Sequence, residues 1–450
     1  MAAPQIGASP EGRRSVDLVA PAYSELTLGR FRAAFPGDST TVEVTRSRER
    51  FYPGLFGPAP RTDSIYRALA AFVRDQNVVD IGSGSGAGLA VLSAARSRVG
   101  VDVSEEAHRF ATRATPGVTF LCLDAAQAEL PPADVVTIVD VLGCAHDPAA
   151  LLRAAARSLG ASGTLYVAEP RASIAQELLP PARAAFSKQG LAVLLAEAGF
   201  ELEAWLSEGR FWVVRARRVP NIWAERLELA RSQLRASDVN RALEILSQPP
   251  PEPGGLLEAS WALLSAEAHR LRGDGDAALT ALIRGHEQAP DDARLLARLA
   301  EVLIDSGERE QAERFASAAV DRDPASAEAV RARARALTVS ATPEERVGLW
   351  QRALRLDPSN MDLSVRLAIA ASEVGCYSIG MTALEKVREY GGNLPADFHL
   401  TLGWLRLMVG RLEEALVECR WAQLIEPNHP GVMDLQLAIC ESDPKPLGQC

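Results

Sequence analysis

The sequence predicts two folds in one chain: an α/β domain, doubly wound around a mostly parallel sheet with an antiparallel closing hairpin, followed by an all-α superhelix of repeats. Three observations predict this. From Asn77 onward, short β-branched runs alternate with Ala/Leu-rich stretches. After Pro220 the strand-like runs stop and small residues recur at a fixed period. The charge divides at the same place: residues 1–220 hold 23 basic and 23 acidic side chains, whereas 221–450 hold 25 and 35, so the whole net charge of −10 falls in the second part. The organisation that follows is 1–60 as an N-terminal segment or lid, 61–218 as the α/β domain, 221–441 as repeats with a capping helix, and 442–450 as a tail.

Each element has its local reason. "NVVDIG" is followed by helix-like "GAGLAVLSAAR", "SRVGVDV" by "SEEAHRFATRA", and "VTFLCLD" and "ADVVTIVDV" by "DPAALLRAAARSLG" and "GTLYVAEP". Apolar strands alternating with helices form βαβ units and a parallel sheet covered on both faces. "FELEAWLSEGRFWVVRARR" breaks the alternation, with two strand-like runs around Glu208-Gly209 that predict a hairpin. No run of 18 apolar residues occurs, so no membrane span is expected. The start lacks the basic and apolar regions of a secretory signal, and six scattered cysteines without a Cys-x-x-Cys pair fit a reducing, cytoplasmic setting rather than a structural zinc. An acidic chain without clustered cations argues against nucleic acid as a partner, because phosphate binding needs such clusters.

The chemistry is concentrated in "VVDIGSGSGAG", residues 78–88. Gly82, Gly84 and Ala87 satisfy the dinucleotide pattern G-x-G-x-x-G/A, so a nicotinamide oxidoreductase stays open on the glycines alone. Asp80 points elsewhere. A carboxylate two residues before the first glycine would repel a pyrophosphate and favour a ligand with an ammonium group. Asp102, at the end of the next strand, is placed to accept ribose hydroxyls, and Asp124, at the end of the third, to bond an adenine amino group. S-Adenosyl-L-methionine answers this description: it is cationic, carries no phosphate and needs close backbone approach. A P-loop is excluded, since no Gly-Lys-Ser/Thr follows the turn.

These residues resemble the class I, Rossmann-like S-adenosylmethionine-dependent methyltransferases from about Arg50 to Arg218. "VVDIGSGSGAG" is similar to the family's first motif, "VGVDVSEEA" to its acidic second strand, and "LCLDAAQAELPPADVVTIVDVL" to its third and fourth. "FSKQGLAVLLAEAGFELEAW" resembles its closing helix and sixth strand. The resemblance implies a cofactor site of Asp80, Gly82, Ser83, Gly84 and Gly86 in the loop, Asp102 and Val103 at the ribose, Asp124 and Ala125 at the adenine, and Asp140 and Val141 by the methyl group. One departure stands out: many relatives carry Glu-His after the fourth strand, where this chain has Gly143-Cys144, with His146 two residues on. His146 and Asp140 are therefore the candidate catalytic groups, although His146 beside Asp147-Pro148 also suits a helix start. "ERFYPG" loosely resembles an N-terminal motif of methyltransferases associated with surface sugars, and Arg50, Tyr52 and Arg61 are the candidate substrate contacts. The fourth strand ends "DVLGC" rather than Asn-Pro-Pro-Tyr, which disfavours amide or base nitrogens as acceptors. A small molecule, sugar or natural-product hydroxyl is the expected methyl acceptor, with a protein recruited by the repeats, or a non-catalytic adaptor carrying a cofactor-binding relic, as alternatives.

In the second part, small residues recur at Ala266, Ala300, Ala334, Ala368 and Gly403, prolines at Pro290, Pro324, Pro358 and Pro427, and glycines at Gly273, Gly307, Gly375 and Gly410. This period resembles the tetratricopeptide repeat, in which paired antiparallel helices stack into a superhelix. Five repeats span about 259–428, a divergent one lies at 223–248, and 429–441 would cap the array. Arg346 and Gly380 interrupt the second small position, which makes the fourth and fifth repeats the looser ones. Such arrays bind a protein or peptide in the groove formed by the first helices. The period assigns Arg298, Arg331, Arg335, Arg366 and Trp404 to that face, where the arginines would hold an acidic segment. Few sequence signals tie the two parts together, and Val219-Pro220 reads as a boundary between separable halves.

Overall fold

A computed structural model describes residues 62–171, 185–249, 255–338, 340–389 and 394–442. The candidate substrate residues Arg50, Tyr52 and Arg61, the 1–60 segment and the tail beyond Ser442 lie outside the described residues. The first part is a seven-stranded sheet of β1 (Asn77–Ile81), β2 (Ser97–Asp102), β3 (Thr119–Cys122), β4 (Ala133–Val139), β5 (Leu159–Pro170), β6 (Phe200–Glu208) and β7 (Phe211–Arg218). Its order is β3-β2-β1-β4-β5-β7-β6, parallel throughout except that β7 runs antiparallel to β5 and β6. The predicted hairpin is present, turning at Gly209-Arg210.

Both faces of the sheet are buried, and side chains alternate between them as a pleat requires. Val79, Ile81, Val136, Ile138, Leu165 and Val167 pack on one face with Leu152, Leu191 and Leu195. Val78, Val135, Val139 and Tyr166 pack on the other with Leu69, Leu89 and Phe120. The helices of this part are α1 (Asp63–Leu69), α2 (Ala87–Val91), α3 (Glu105–Ala114), α4 (Pro148–Ser158) and α5 (Lys188–Glu197). Side-chain caps start three of them: Ser104 accepts from Ala107 N–H, Asp147 from Ala150 N–H and Ser187 from Gly190 N–H. Helix α2 is shorter than its sequence suggests. Gly86 enters it in the left-handed region, and a turn from Leu92 to Ala95 hands the chain to β2.

Among the described residues only helices follow β7: α6 (Ile222–Arg235), α7 (Val239–Ile245), α8 (Leu256–Leu271), α9 (Gly275–Gln288), α10 (Ala293–Asp305), α11 (Arg309–Arg322), α12 (Ala327–Leu337), α13 (Pro343–Leu356), α14 (Met361–Glu373), α15 (Tyr377–Glu389), α16 (Ala396–Met408), α17 (Leu412–Ile425) and α18 (Pro430–Ser442). The periodic small residues sit where helices touch: Ala266, Ala300, Ala334 and Ala368 are buried, and a Cβ at Gly403 would lie 2.6 Å from Leu435. Gly273, Gly307, Gly375 and Gly410 adopt φ of +72° to +83°, which a side chain would strain, so they end the first helix of their pairs. The fourth and fifth repeats are regular helix pairs. Gly380 is itself the small residue the contact needs, its missing Cβ 3.0 Å from Ala368 Cα. Arg346 instead turns its guanidinium to the Ala341 carbonyl at 3.1 Å and to Glu373.

The two parts touch more than the sequence suggested. Arg153 of α4 meets Glu228 of α6 at 3.0 Å, Glu197 of α5 meets Arg231 of α6 at 3.0 Å, and Ser187 donates to Asp323 at 2.5 Å. Pairings separated by 34 to 136 residues leave no local signature, which is why the boundary read as a bare linker.

Candidate functional site

Four aspartates gather at the C-terminal edge of the sheet, where open α/β sheets bind ligands. Asp80 is the fourth residue of β1, Asp102 ends β2, Asp124 follows β3 and Asp140 follows β4. The glycine loop opens there because Gly82, Gly84 and Gly86 have φ of +77°, +51° and +76°. The outer two glycines serve packing: a Cβ would lie 2.2 Å from Val141 at Gly82 and 2.5 Å from Phe120 at Gly86. At Gly84 a Cβ would meet nothing within 4 Å, so its face is open to close approach.

Asp102 is fixed against that opening. Its Oδ2 accepts from Gly84 N–H at 2.8 Å and its Oδ1 from Ser104 N–H at 2.9 Å, an arrangement that orients the carboxylate. Val103, next to it, is 51% exposed, an apolar surface suited to a flat ring. Asp124 is exposed and turns its own loop, accepting from Ala126 N–H and from Gln127 Nε2, both at 2.9 Å, with Ala125 buried behind it. Ser83 faces away from the opening: its Oγ lies over β2, 2.6 Å from where a Cβ on Gly100 would be.

Asp80, expected at the cofactor, lies beneath the loop rather than on its surface. It is 0% exposed and held by Tyr66 Oη, at 3.1 and 3.0 Å from its two oxygens, and by Thr137 Oγ1 at 2.6 Å. Tyr66 reaches it from α1, a partner 14 residues upstream that the motif could not reveal. Burial pushes the Asp80 carboxyl up to about 7, against the two hydroxyl donors that favour its charged form. A carboxyl whose folded value is raised stabilises the protein below its unfolded value near ~4, and that contribution is lost as pH rises through about 7. Asp80→Asn is therefore expected to flatten the fall in stability between mildly acidic and mildly alkaline pH, by on the order of 2 kcal/mol. Urea unfolding at both ends of that range checks this; parallel curves for variant and wild type would remove Asp80 as the titrating group.

Glu169 is the residue that sequence reasoning missed. Fully buried at the end of β5, it accepts from the N–H groups of Val141, Leu142 and Gly143 at 2.8, 2.7 and 3.1 Å. Burial, with the Asp140 charge adding, pushes its carboxyl up to about 7 despite those three donors. It thereby shapes the turn after β4, the place of the absent Glu-His pair, with Gly143 buried and Cys144 half-buried. Its signal, the Glu in "VAEP", is legible only once β5 is known to lie beside β4. Asp140 enters the same turn at φ +60°, a left-handed conformation tolerated by Asp and frequent at functional sites. Val141 is half-buried against Gly82, and His146 is exposed, while Asp147 caps α4. The loop thus brings Gly82, Gly84, Gly86, Asp102, Val103, Asp140 and Val141 to one edge.

Among the described residues this edge presents carboxylates and no lysine, and β7 is reversed, unlike the all-parallel order 3-2-1-4-5-6 of the dinucleotide fold.

On the repeats, the assigned arginines lie on first helices but are not an open basic face. Arg298 pairs with Glu267 and Glu301, each at 2.8 Å, Arg331 with Glu301 at 3.0 Å, and Arg335 with Asp305 at 2.9 Å. Arg366 pairs with Asp362 at 2.7 Å and stacks 5.5 Å from the Trp350 ring centre, and Trp404 is 36% exposed. Reversing Arg331 and Arg335 to Glu would set carboxylates against the buried Glu301, so that change would disturb the array itself.

A family model described as a methyltransferase domain matches residues 56–205, and one described as a tetratricopeptide repeat matches 269–336. Among curated proteins none matches the chain. Solved structures similar to it include an S-adenosylmethionine-dependent methyltransferase of Thermotoga maritima, described as a possible histamine N-methyltransferase. It shows 23% identity over 34% of this chain and 86% of that one, with a TM-score of 0.30. A methyltransferase of Mesorhizobium loti shows 18% identity over 35% of this chain and 97% of that one, with a TM-score of 0.31. Over the repeats, PilF of Pseudomonas aeruginosa shows 14% identity, covering 48% of this chain and 96% of that one at a TM-score of 0.41.

Proposed function

Because the chain carries a methyltransferase domain followed by tetratricopeptide repeats, we propose that it binds S-adenosyl-L-methionine at the C-terminal edge of the sheet and transfers its methyl group to an acceptor. The observation that carries this reading is the Asp102 carboxylate, held by Gly84 N–H and Ser104 N–H beside an open Gly84 and an exposed Val103. Asp102 would accept the ribose hydroxyls, Val103 and Ala125 would contact the adenine ring, and Asp124 would meet its amino group. The buried Asp80 would act on the amino end through its charge, without direct contact. The cofactor supplies an electrophilic methyl on a sulfonium. The chain's own part is to align the acceptor, exclude water and receive its proton, for which Asp140 and His146 at the turn after β4 are the candidates.

A small-molecule, sugar or natural-product hydroxyl is the proposed acceptor class, and the N-terminal residues Arg50, Tyr52 and Arg61 are its proposed contacts. The repeats serve protein interaction. Residues 61–218 and 221–441 are the proposed limits of the two domains. A second reading, a non-catalytic repeat adaptor with a cofactor-binding relic, draws support from Gly143-Cys144, where relatives carry a polar pair.

Calorimetric titration with S-adenosylhomocysteine tests the cofactor assignment, with NAD as the rival ligand. Asp102→Ala is expected to weaken S-adenosylhomocysteine binding by ~1.5–3 kcal/mol, the worth of hydrogen bonds to a charged group. Equal affinity in variant and wild type would end the assignment of Asp102. A screen of acceptor classes, read by methyl transfer, then separates enzyme from relic.

A further inference from the structure

We propose that the groove of the repeat array is a clamp acting in cis: its occupant is the chain's own α5, and by gripping that helix the array fixes one wall of the acceptor side. The inference deepens the methyltransferase reading and rests on it only for what the wall adjoins.

Helix α5 lies on the first-helix side of the array. Its last residue, Glu197, pairs with Arg231 of α6 at 3.0 Å and lies 3.9 Å from Arg294 of α10. At its other end Ser187 accepts from Gly190 N–H at 2.9 Å to cap the helix, and donates to Asp323, at the turn into α12, at 2.5 Å. The grip therefore spans four successive repeats, and both partners of the bond at the start of α5 are largely withdrawn from water: Ser187 is 6% and Asp323 8% exposed. Beside α5 the groove retains about 450 Å³, lined by Val193 and Leu194 from α5 and by Leu263 and Leu264 from α8. The stretch of groove from α6 to the turn into α12 is therefore already occupied by α5.

Contacts continue from α5 to the ligand edge. Phe186, just before the cap, forms a bridge with Arg171, and its carbonyl accepts from Trp212 Nε1 at 3.0 Å. Arg171 follows β5, whose Glu169 holds the N–H groups of Val141, Leu142 and Gly143. The array thus holds α5, and the Phe186–Arg171 bridge carries that contact to the end of β5, beside the turn bearing Asp140.

The test uses the full chain. Ser187→Asp keeps the helix cap, since Asp caps as well as Ser, but sets two carboxylates against each other where one proton was shared. Adding Asp323→Asn restores a donor–acceptor pair and leaves an oxygen for Ala325 N–H. Well above the carboxylate range, hydrogen exchange in 186–197 is expected to accelerate about tenfold or more in the single variant and to return to within about threefold of wild type in the double one. A smaller acceleration should reach 169–171. Unchanged exchange in Ser187→Asp, or no recovery in the double variant, would overturn the clamp. S-Adenosylhomocysteine titration runs in parallel: loss of binding in the wild type would refute the cofactor reading while leaving the exchange result to judge the clamp.

Discussion

Gly84→Val is expected to leave the fold in place and to remove S-adenosylhomocysteine binding. The structure separates these effects. A Cβ at Gly84 meets no protein atom within 4 Å, so a side chain there projects into the space a ligand would fill. The backbone cost is real but modest, since φ of +51° is left-handed and costs a branched residue roughly 1–2 kcal/mol. Affinity should fall more than about a hundredfold, over 2.7 kcal/mol, because a branched side chain cannot yield to a ligand that lies on the loop backbone. Gly82→Ala is the contrast: its Cβ would sit 2.2 Å from Val141 Cγ2, so it should lower stability as well as binding. Calorimetry for affinity and thermal unfolding for stability measure both. A folded Gly84→Val chain that binds as tightly as wild type would place the ligand elsewhere.

The second large effect lies in the repeats. Glu418 is 1% exposed and accepts from Arg388 at 2.7 Å and Arg406 at 2.8 Å, with His399 Nδ1 2.6 Å from its other oxygen. Burial alone would raise its carboxyl; the His399 hydrogen bond and the two guanidiniums outweigh it and hold the carboxyl below its ordinary value. Glu418→Ala removes the shared acceptor, leaving buried Arg406 with only its longer contacts to Glu414 at 3.5 Å and Glu385 at 3.6 Å and buried His399 without its carboxylate, at an expected cost of about 3–5 kcal/mol. Repeat arrays are stabilised between neighbours, so the damage should concentrate in α15 to α18 and spare the sheet. Urea unfolding followed by helix signal, alongside S-adenosylhomocysteine affinity as a report on the sheet domain, gives the measurement. A loss below about 1 kcal/mol would mean that the cluster is solvated and interchangeable.

The sequence by itself determined the features whose cause lies within a few residues. Glycines at 82, 84 and 86 open a left-handed loop because no other residue takes those angles cheaply. Asp102 could be identified from its place at the end of a β-branched run. The 34-residue recurrence from Ala266 to Ala368 determined the helix pairs, because close helix contacts repeat only where small residues do. Tertiary structure decided the rest. The burial of Asp80 came from Tyr66 and Thr137, 14 and 57 residues away, which hydrogen-bond its carboxyl. Glu169 drew no reading from the sequence, and its role emerged only with β5 beside β4 and three N–H groups turned to it. The arginine row looked open until Glu267, Glu301 and Asp305 from neighbouring helices met it. In each case a charge could be read from the chain, but its partner could not. Local angles and periodicity are written in consecutive residues, whereas burial and pairing depend on which distant segments the packed core brings within about 3 Å.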